Sequence, residues 1–77
     1  MFDLYVIKDC PYCRMVISTL EDNNIKFNKF DISDENNLKK LMSLGGKEQV
    51  PFLYDKESKT CIYESDAIIN YLSNSKK

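Results

Sequence analysis

Two cysteines separated by two residues, Cys10-Pro11-Tyr12-Cys13, stand just after an apolar run and just before a helical one. Phe2, Leu4, Tyr5, Val6 and Ile7 read as a short buried strand, whereas Val16, Ile17 and Leu20 recur at helical spacing, so the pair lies at a strand-to-helix turn. Pro11 suits the first helical position, where its missing N–H costs nothing. Cys10 is then the N-cap, with its sulfur where a capping oxygen accepts bonds from the next amides, those of Tyr12 and Cys13. An anionic sulfur is favoured in that place. A helix dipole supplies ~0.3–1 kcal/mol and an exposed cation such as Lys8 or Arg14 at most about 1 kcal/mol, so charge-assisted N–H bonds must carry much of the remainder. Cys13, one turn along the same face and more enclosed, is close enough to close a disulfide. Cys10 is therefore expected to be the attacking thiol and Cys13 the resolving thiol.

The rest of the composition narrows the function. A length of 77 residues is read as one domain, 1–77, with a small core. The 11 basic and 12 acidic residues are mixed along the chain, which gives no polybasic footprint for nucleic acid. No apolar run approaches the ~20 residues needed to cross a bilayer, and Met1 leads into the first strand without a basic segment and apolar core of a leader. The expectation is a cytoplasmic monomer with no membrane or nucleic-acid partner. Three cysteines are too few for a disulfide-built secreted scaffold, and a C-x-x-C pair in a reducing compartment is catalytic or metal-binding. There is no histidine, so a Cys–His hydrolase is excluded. Structural zinc needs four ligands and only Cys61 remains beyond the pair, so no metal is expected.

Along the chain, the first helix is expected over Pro11 to Asn23, and Ile25 to Ile32 reads as an exposed or edge strand. Two strands joined by a helix imply a parallel pair. Ser33 or Asp34 caps a second helix carrying Leu38, Leu41 and Met42, and Gly45-Gly46 supply its left-handed stop. Pro51 opens the strand Phe52-Leu53-Tyr54, with a trans peptide bond favoured from the residues alone. Asp55 to Ser58 form a turn, and Thr60-Cys61-Ile62-Tyr63 return antiparallel with Cys61 as a core residue. Ser65 caps a last helix with Asp66 in its first turn and Ala67, Ile68, Tyr71 and Leu72 on the inner face, and Ser73 to Lys77 form a frayed tail. The order β-α-β-α-β-β-α, opening on strand, C-x-x-C and helix, is that of a thioredoxin-like α/β fold with a four-stranded mixed sheet and helices on both faces.

With Cys10-Pro11-Tyr12-Cys13, Val50-Pro51 and Glu64-Ser65-Asp66, essentially the whole chain resembles a small dithiol glutaredoxin. The resemblance implies a cis Val50-Pro51 bond beside the thiols and a glutathione groove formed by Lys8, Tyr12, Val50, Pro51, Ser65 and Asp66. Tyr63-Glu64 stands where many glutaredoxins carry Gly-Gly, and Gln49 where threonine is commoner. Glu64-Ser65-Asp66-Ala67-Ile68, followed by Tyr71-Leu72, is instead similar to the glutathione-binding end of the N-terminal domain of glutathione transferases, which keeps the glutathione reading and leaves either Glu64 or Asp66 to hold the ammonium. The contacts are physically reasonable. An extended tripeptide can pair with Val50 as an added strand. Its γ-glutamyl carboxylate can sit on the amides and Ser65 hydroxyl at the last helix start, with Lys8 for the glycyl carboxylate and Lys47 as a candidate second contact.

These residues imply a glutathione-dependent thiol–disulfide oxidoreductase acting in electron transport and cell redox homeostasis, with glutathione as reducing cosubstrate and glutathionylated or disulfide-containing proteins as partners. Two other readings use the same cysteines. One is a redoxin recharged by thioredoxin reductase; the other is a pair of chains holding a 2Fe–2S cluster through Cys10 and two glutathiones.

Overall fold

The computed structural model describes residues 1–75. Its elements follow the expected order: β1 Phe2–Val6, α1 Pro11–Asp22, β2 Phe27–Asp31, α2 Glu35–Gly45, β3 Phe52–Asp55, β4 Thr60–Tyr63 and α3 Ser65–Ser75. The sheet order is β2-β1-β3-β4. β1 runs parallel to β2, with Val6 opposite Asp31, and antiparallel to β3, with Tyr5 opposite Phe52. β3 and β4 are antiparallel, with Phe52 opposite Tyr63. The thioredoxin-like architecture read from the sequence is therefore the one the chain adopts.

Alternation along the two central strands separates two apolar layers. Leu4, Val6 and Leu53 pack with Val16 and Leu20 of α1 and Ile68 and Leu72 of α3. Tyr5 and Phe52 point the other way, onto Ile32 and Leu41. Because β1 is covered on both faces, its sequence is a near-continuous apolar run and not an alternating one. The exception is Asp3, 5% exposed, whose carboxylate accepts from Asn28 Nδ2 at 3.0 Å and faces Lys56 Nζ at 3.5 Å. A buried carboxylate with both a donor and a cation is a tolerable core residue.

Several local expectations need correction. Ile7 lies beyond the last β1 pair and is 42% exposed, since the pairing that would bury it ends at Val6. β2 is confined to Phe27–Asp31, although the Ile32 amide still reaches Val6 O at 2.9 Å. Cys61 is exposed on edge strand β4, with its Sγ 3.6 Å from Leu44 O, because β4 has a neighbour on one side alone. In α3 the buried positions are Ser65, Ile68 and Leu72; Ala67 is exposed, being rotated off that stripe. The helix continues through Ser73 to Ser75, so that part of the expected tail is ordered helix, and the remainder lies outside the described residues. Among the described residues no helix is long and apolar enough to cross a membrane.

Asp34, one of the two candidates, caps α2 by accepting from the Asn36 amide at 2.8 Å. At the other end the two glycines do different jobs. Gly46 takes the left-handed conformation at φ 81° and its amide returns to Met42 O. Gly45 is still helical, and its smallness admits Tyr63: a Cβ there would run into Tyr63 Oη and stand 2.7 Å from its Cζ and 2.9 Å from Phe52 Cε1. Gly45→Ala is accordingly expected to lower unfolding free energy by about 1–3 kcal/mol, the usual range for overpacking, in denaturant titration. A change below ~0.3 kcal/mol would show that the Tyr63 ring is not held there.

Candidate functional site

Strand β1 ends at Val6 and the chain turns through Lys8 and Asp9 to start α1. Asp9 sits at φ 61°, a left-handed conformation that aspartate tolerates better than bulkier residues. That turn delivers Cys10 to the N-cap in extended conformation, φ −99° and ψ 113°, with Pro11 at the first helical position. Of the two amides expected to reach the sulfur, the Cys13 N–H closes on Cys10 Sγ at 3.3 Å. The Cys10 carbonyl takes the first helical bond, from Arg14 N at 3.1 Å.

The two thiols differ in environment. Cys10 is partly exposed, whereas Cys13 is 2% exposed. Burial pushes the Cys13 thiol up to about 12, helped by its hydrogen bond to Cys10 and by the Cys10 charge, and opposed by a backbone bond from Ile7. Cys13 is therefore neutral at physiological pH.

Two clefts open at the carboxyl end of β1, on opposite sides of it in the sheet. One, about 390 Å³, lies on the β2 side and is lined by both cysteines with Lys8, Asp9, Arg14, Lys29 and Asp31 among its walls. Arg14 and Asp9 form a loose, exposed pair at 3.8 Å, which contributes little. Asp31 is held below the usual carboxylate range by hydrogen bonds from the Ser33 amide and hydroxyl, with Lys8 and Lys29 adding to the effect against slight desolvation. The other cleft, about 200 Å³, lies on the β3–β4 side and is lined by Tyr12, Gln49, Val50, Pro51, Glu64 and Ser65.

The structure thus gathers Tyr12, Val50, Pro51, Glu64 and Ser65 around one cleft and puts Lys8 in the neighbouring one; Asp66 is exposed at the start of α3. The Val50–Pro51 peptide bond is cis, as the glutaredoxin resemblance implies and against the expectation from the dipeptide alone. Ser65 is the first residue of α3 and not its cap: Glu64, at φ 74°, lends its carbonyl to the Ile68 amide at 3.0 Å. A left-handed glutamate leaves no trace in the residue type, so the position of the helix start was not readable. Gln49, which stands in the sequence where glutaredoxins more often have threonine before Val-Pro, is a further wall residue. Lys47 stacks its Nζ 5.7 Å from the Tyr63 ring centroid.

For Cys13 the folded thiol titrates above its unfolded value of about 8.5. The corresponding stability is complete below that pH and is lost as pH rises toward 12. At pH 8, iodoacetamide is expected to label Cys10 and Cys61 and to spare Cys13 until the chain is unfolded, as read by peptide mass mapping. Labelling of Cys13 at the rate of Cys61 would contradict its burial.

The model of the family described as glutathione S-transferase, N-terminal domain, matches residues 4–76. Among solved structures, the thioredoxin-like protein BC3987 superposes with a TM-score of 0.84 at 21% identity, covering 96% of this chain and 97% of that one. Ure2p in complex with glutathione gives 0.81 at 23% identity, over 97% of this chain and 33% of Ure2p. An epsilon-class glutathione S-transferase from the housefly, Musca domestica, gives 0.78 at 25% identity, over 96% of this chain and 34% of that one. This chain thus spans about a third of the length of the last two. No curated protein matches. With nearly every residue inside the family match and the thioredoxin-like sheet and helices in place, the chain belongs to the glutathione S-transferase N-terminal domain family.

Proposed function

We propose that this domain is a glutathione-dependent thiol–disulfide oxidoreductase of glutaredoxin type, with Cys10 as nucleophile and Cys13 as resolving thiol. The observation that carries the reading is the placement of the Cys10 sulfur at the start of α1, where the Cys13 amide donates to it at 3.3 Å. A thiolate at a helix start is the usual form of a reactive cysteine. The family match and the complex of Ure2p with glutathione support glutathione as the ligand.

In this reading glutathione lies in the cleft beside the cis Val50–Pro51 bond. The tripeptide backbone pairs with Val50, and its γ-glutamyl carboxylate meets the start of α3 at Ser65. Glu64 or Asp66 takes the ammonium. Tyr12 forms part of the wall two residues from Cys10, and Lys8 supplies positive charge across the α1 start. Each contact is small, and together they align the peptide sulfur on Cys10.

The Cys10 thiolate attacks the glutathionyl sulfur of a mixed disulfide. A Cys10–glutathione disulfide forms, the original S–S bond breaks, and the target leaves as a thiolate that takes a proton. A second glutathione thiolate then attacks the glutathionyl sulfur and frees Cys10. The net exchange reduces the target sulfur to its thiol and oxidises the incoming glutathione, which leaves joined to the glutathionyl group the target carried as glutathione disulfide. With a protein disulfide, Cys10 bonds one target sulfur and releases the other. Cys13 passes its proton to the departing thiolate and attacks the Cys10 sulfur, and the bond from Cys10 to the target breaks. The second target sulfur leaves as a thiolate that takes a proton from water, and the resulting Cys10–Cys13 disulfide is reduced by two glutathiones. The high pKa of Cys13 suits this order, since the Cys10 charge and hydrogen bond that help raise it are removed once Cys10 is bonded to the target.

A second reading is favoured by the family itself. Transferase chemistry would ionise glutathione's own sulfur in the same cleft and leave Cys10 dispensable. The redoxin reading predicts instead equal turnover with and without glutathione when thioredoxin reductase is supplied, and the cluster reading predicts visible absorption from an anaerobically reconstituted dimer. Our reading expects Cys10→Ser to abolish turnover, and Cys13→Ser to retain activity on a glutathionylated peptide while losing it on a protein disulfide, measured as glutathione disulfide formed. Full activity of Cys10→Ser would overturn it.

A further inference from the structure

We propose that Tyr63 is a positioning residue that fixes the Val50–Pro51 cleft by latching the loop between α2 and β3 to the end of β4. The inference rests on reading that cleft as the glutathione site. One hydroxyl serves both backbone groups of Lys47: Tyr63 Oη donates to Lys47 O at 2.8 Å and accepts from the Lys47 amide at 3.0 Å. Those groups belong to the loop just past Gly46, the left-handed end of α2, where the backbone has no regular partner of its own. The side chain that makes this double bond lies 16 residues away in sequence.

The ring cannot easily swing away from its task. Tyr63 is paired with Phe52 across β3 and β4, and their rings lie 4.6 Å apart at 44°. Gly45 makes room beneath it, since any Cβ there would strike the Tyr63 hydroxyl and Cζ. Lys47 closes the other side with its ammonium 5.7 Å from the ring centroid. The hydroxyl is thus aimed by packing from three residues.

Both walls of the cleft begin at this latch. Gln49, Val50 and Pro51 follow Lys47 by two to four residues, and Glu64 and Ser65 follow Tyr63 by one and two. The Phe52–Tyr63 ladder pair fixes the two walls where they leave the sheet, and the Tyr63 hydroxyl holds the Lys47 end of the wall that would pair with the ligand backbone. A strand-like peptide gains from Val50 being held extended before it arrives, because a mobile loop must be ordered at the expense of binding.

Tyr63→Phe keeps the ring and removes both bonds to Lys47. With a glutathionylated peptide as substrate, KM is expected to rise about fivefold to tenfold, the effect of one or two neutral hydrogen bonds, with kcat little changed. Amide exchange at Lys47, Glu48 and Gln49 should quicken while the amides of β1 exchange as before, and iodoacetamide should label Cys10 at the original rate. A variant whose KM and loop exchange both match those of the parent would overturn the latch, as would a loss of kcat and Cys10 labelling in step with KM. If the parent protein neither binds nor turns over glutathione, the reading of the cleft falls, while loop exchange in Tyr63→Phe still decides whether the hydroxyl holds the loop. Loop exchange in the free chain and glutathione binding by the parent are separate measurements, so the two failures are distinguishable.

Discussion

One hydrogen bond, from the Cys13 amide to the Cys10 sulfur, ties the chemistry proposed for this domain to its fold. It exists because α1 begins at Pro11, and α1 begins there because β1 leaves the sheet at Val6 and turns through a left-handed Asp9. β1 in turn is fixed by neighbours on both sides and by apolar layers on both faces. Shifting its register by one residue would exchange those layers and carry the thiols away from the clefts. The placement of the Cys10 sulfur is thus a consequence of burying a central strand twice over.

The same strand separates two openings with different characters. On the β2 side both cysteines face a cleft with charged walls; on the β3–β4 side the cis Val50–Pro51 bond and the start of α3 enclose a smaller one. Cys10 lines the first opening and Tyr12, two residues on, lines the second, so that in the proposed exchange each half of a disulfide has a place. Cys13, buried and neutral, is set behind the partly exposed Cys10.

The elements were legible where a local pattern decides them. The helical spacing of Val16 and Leu20, the Asp34 cap and the Gly46 stop depend on neighbours in sequence. The misses depend on what lies across space. Ile7 continues the apolar run of β1, and only the end of pairing at Val6 exposes it. Cys61 looks like a core strand residue, and only its edge position shows otherwise. Ala67 lies off a stripe whose phase is set by Ile68 and Leu72. For the site, Cys10, Cys13 and the Val50–Pro51 pair stand out in the chain, whereas the bond between Tyr63 and Lys47 joins two residues whose types give no hint of each other.

Cys61 supplies an internal standard for the central claim, being an exposed thiol on the same molecule without a helix start beside it. The decisive measurement is a time course of Cys13→Ser with oxidised glutathione at neutral pH, followed by peptide mass mapping. Glutathione should appear on Cys10 at least about tenfold faster than on Cys61, as the amide bond to its sulfur and docking of the peptide together require. Equal rates at the two cysteines would contradict the account.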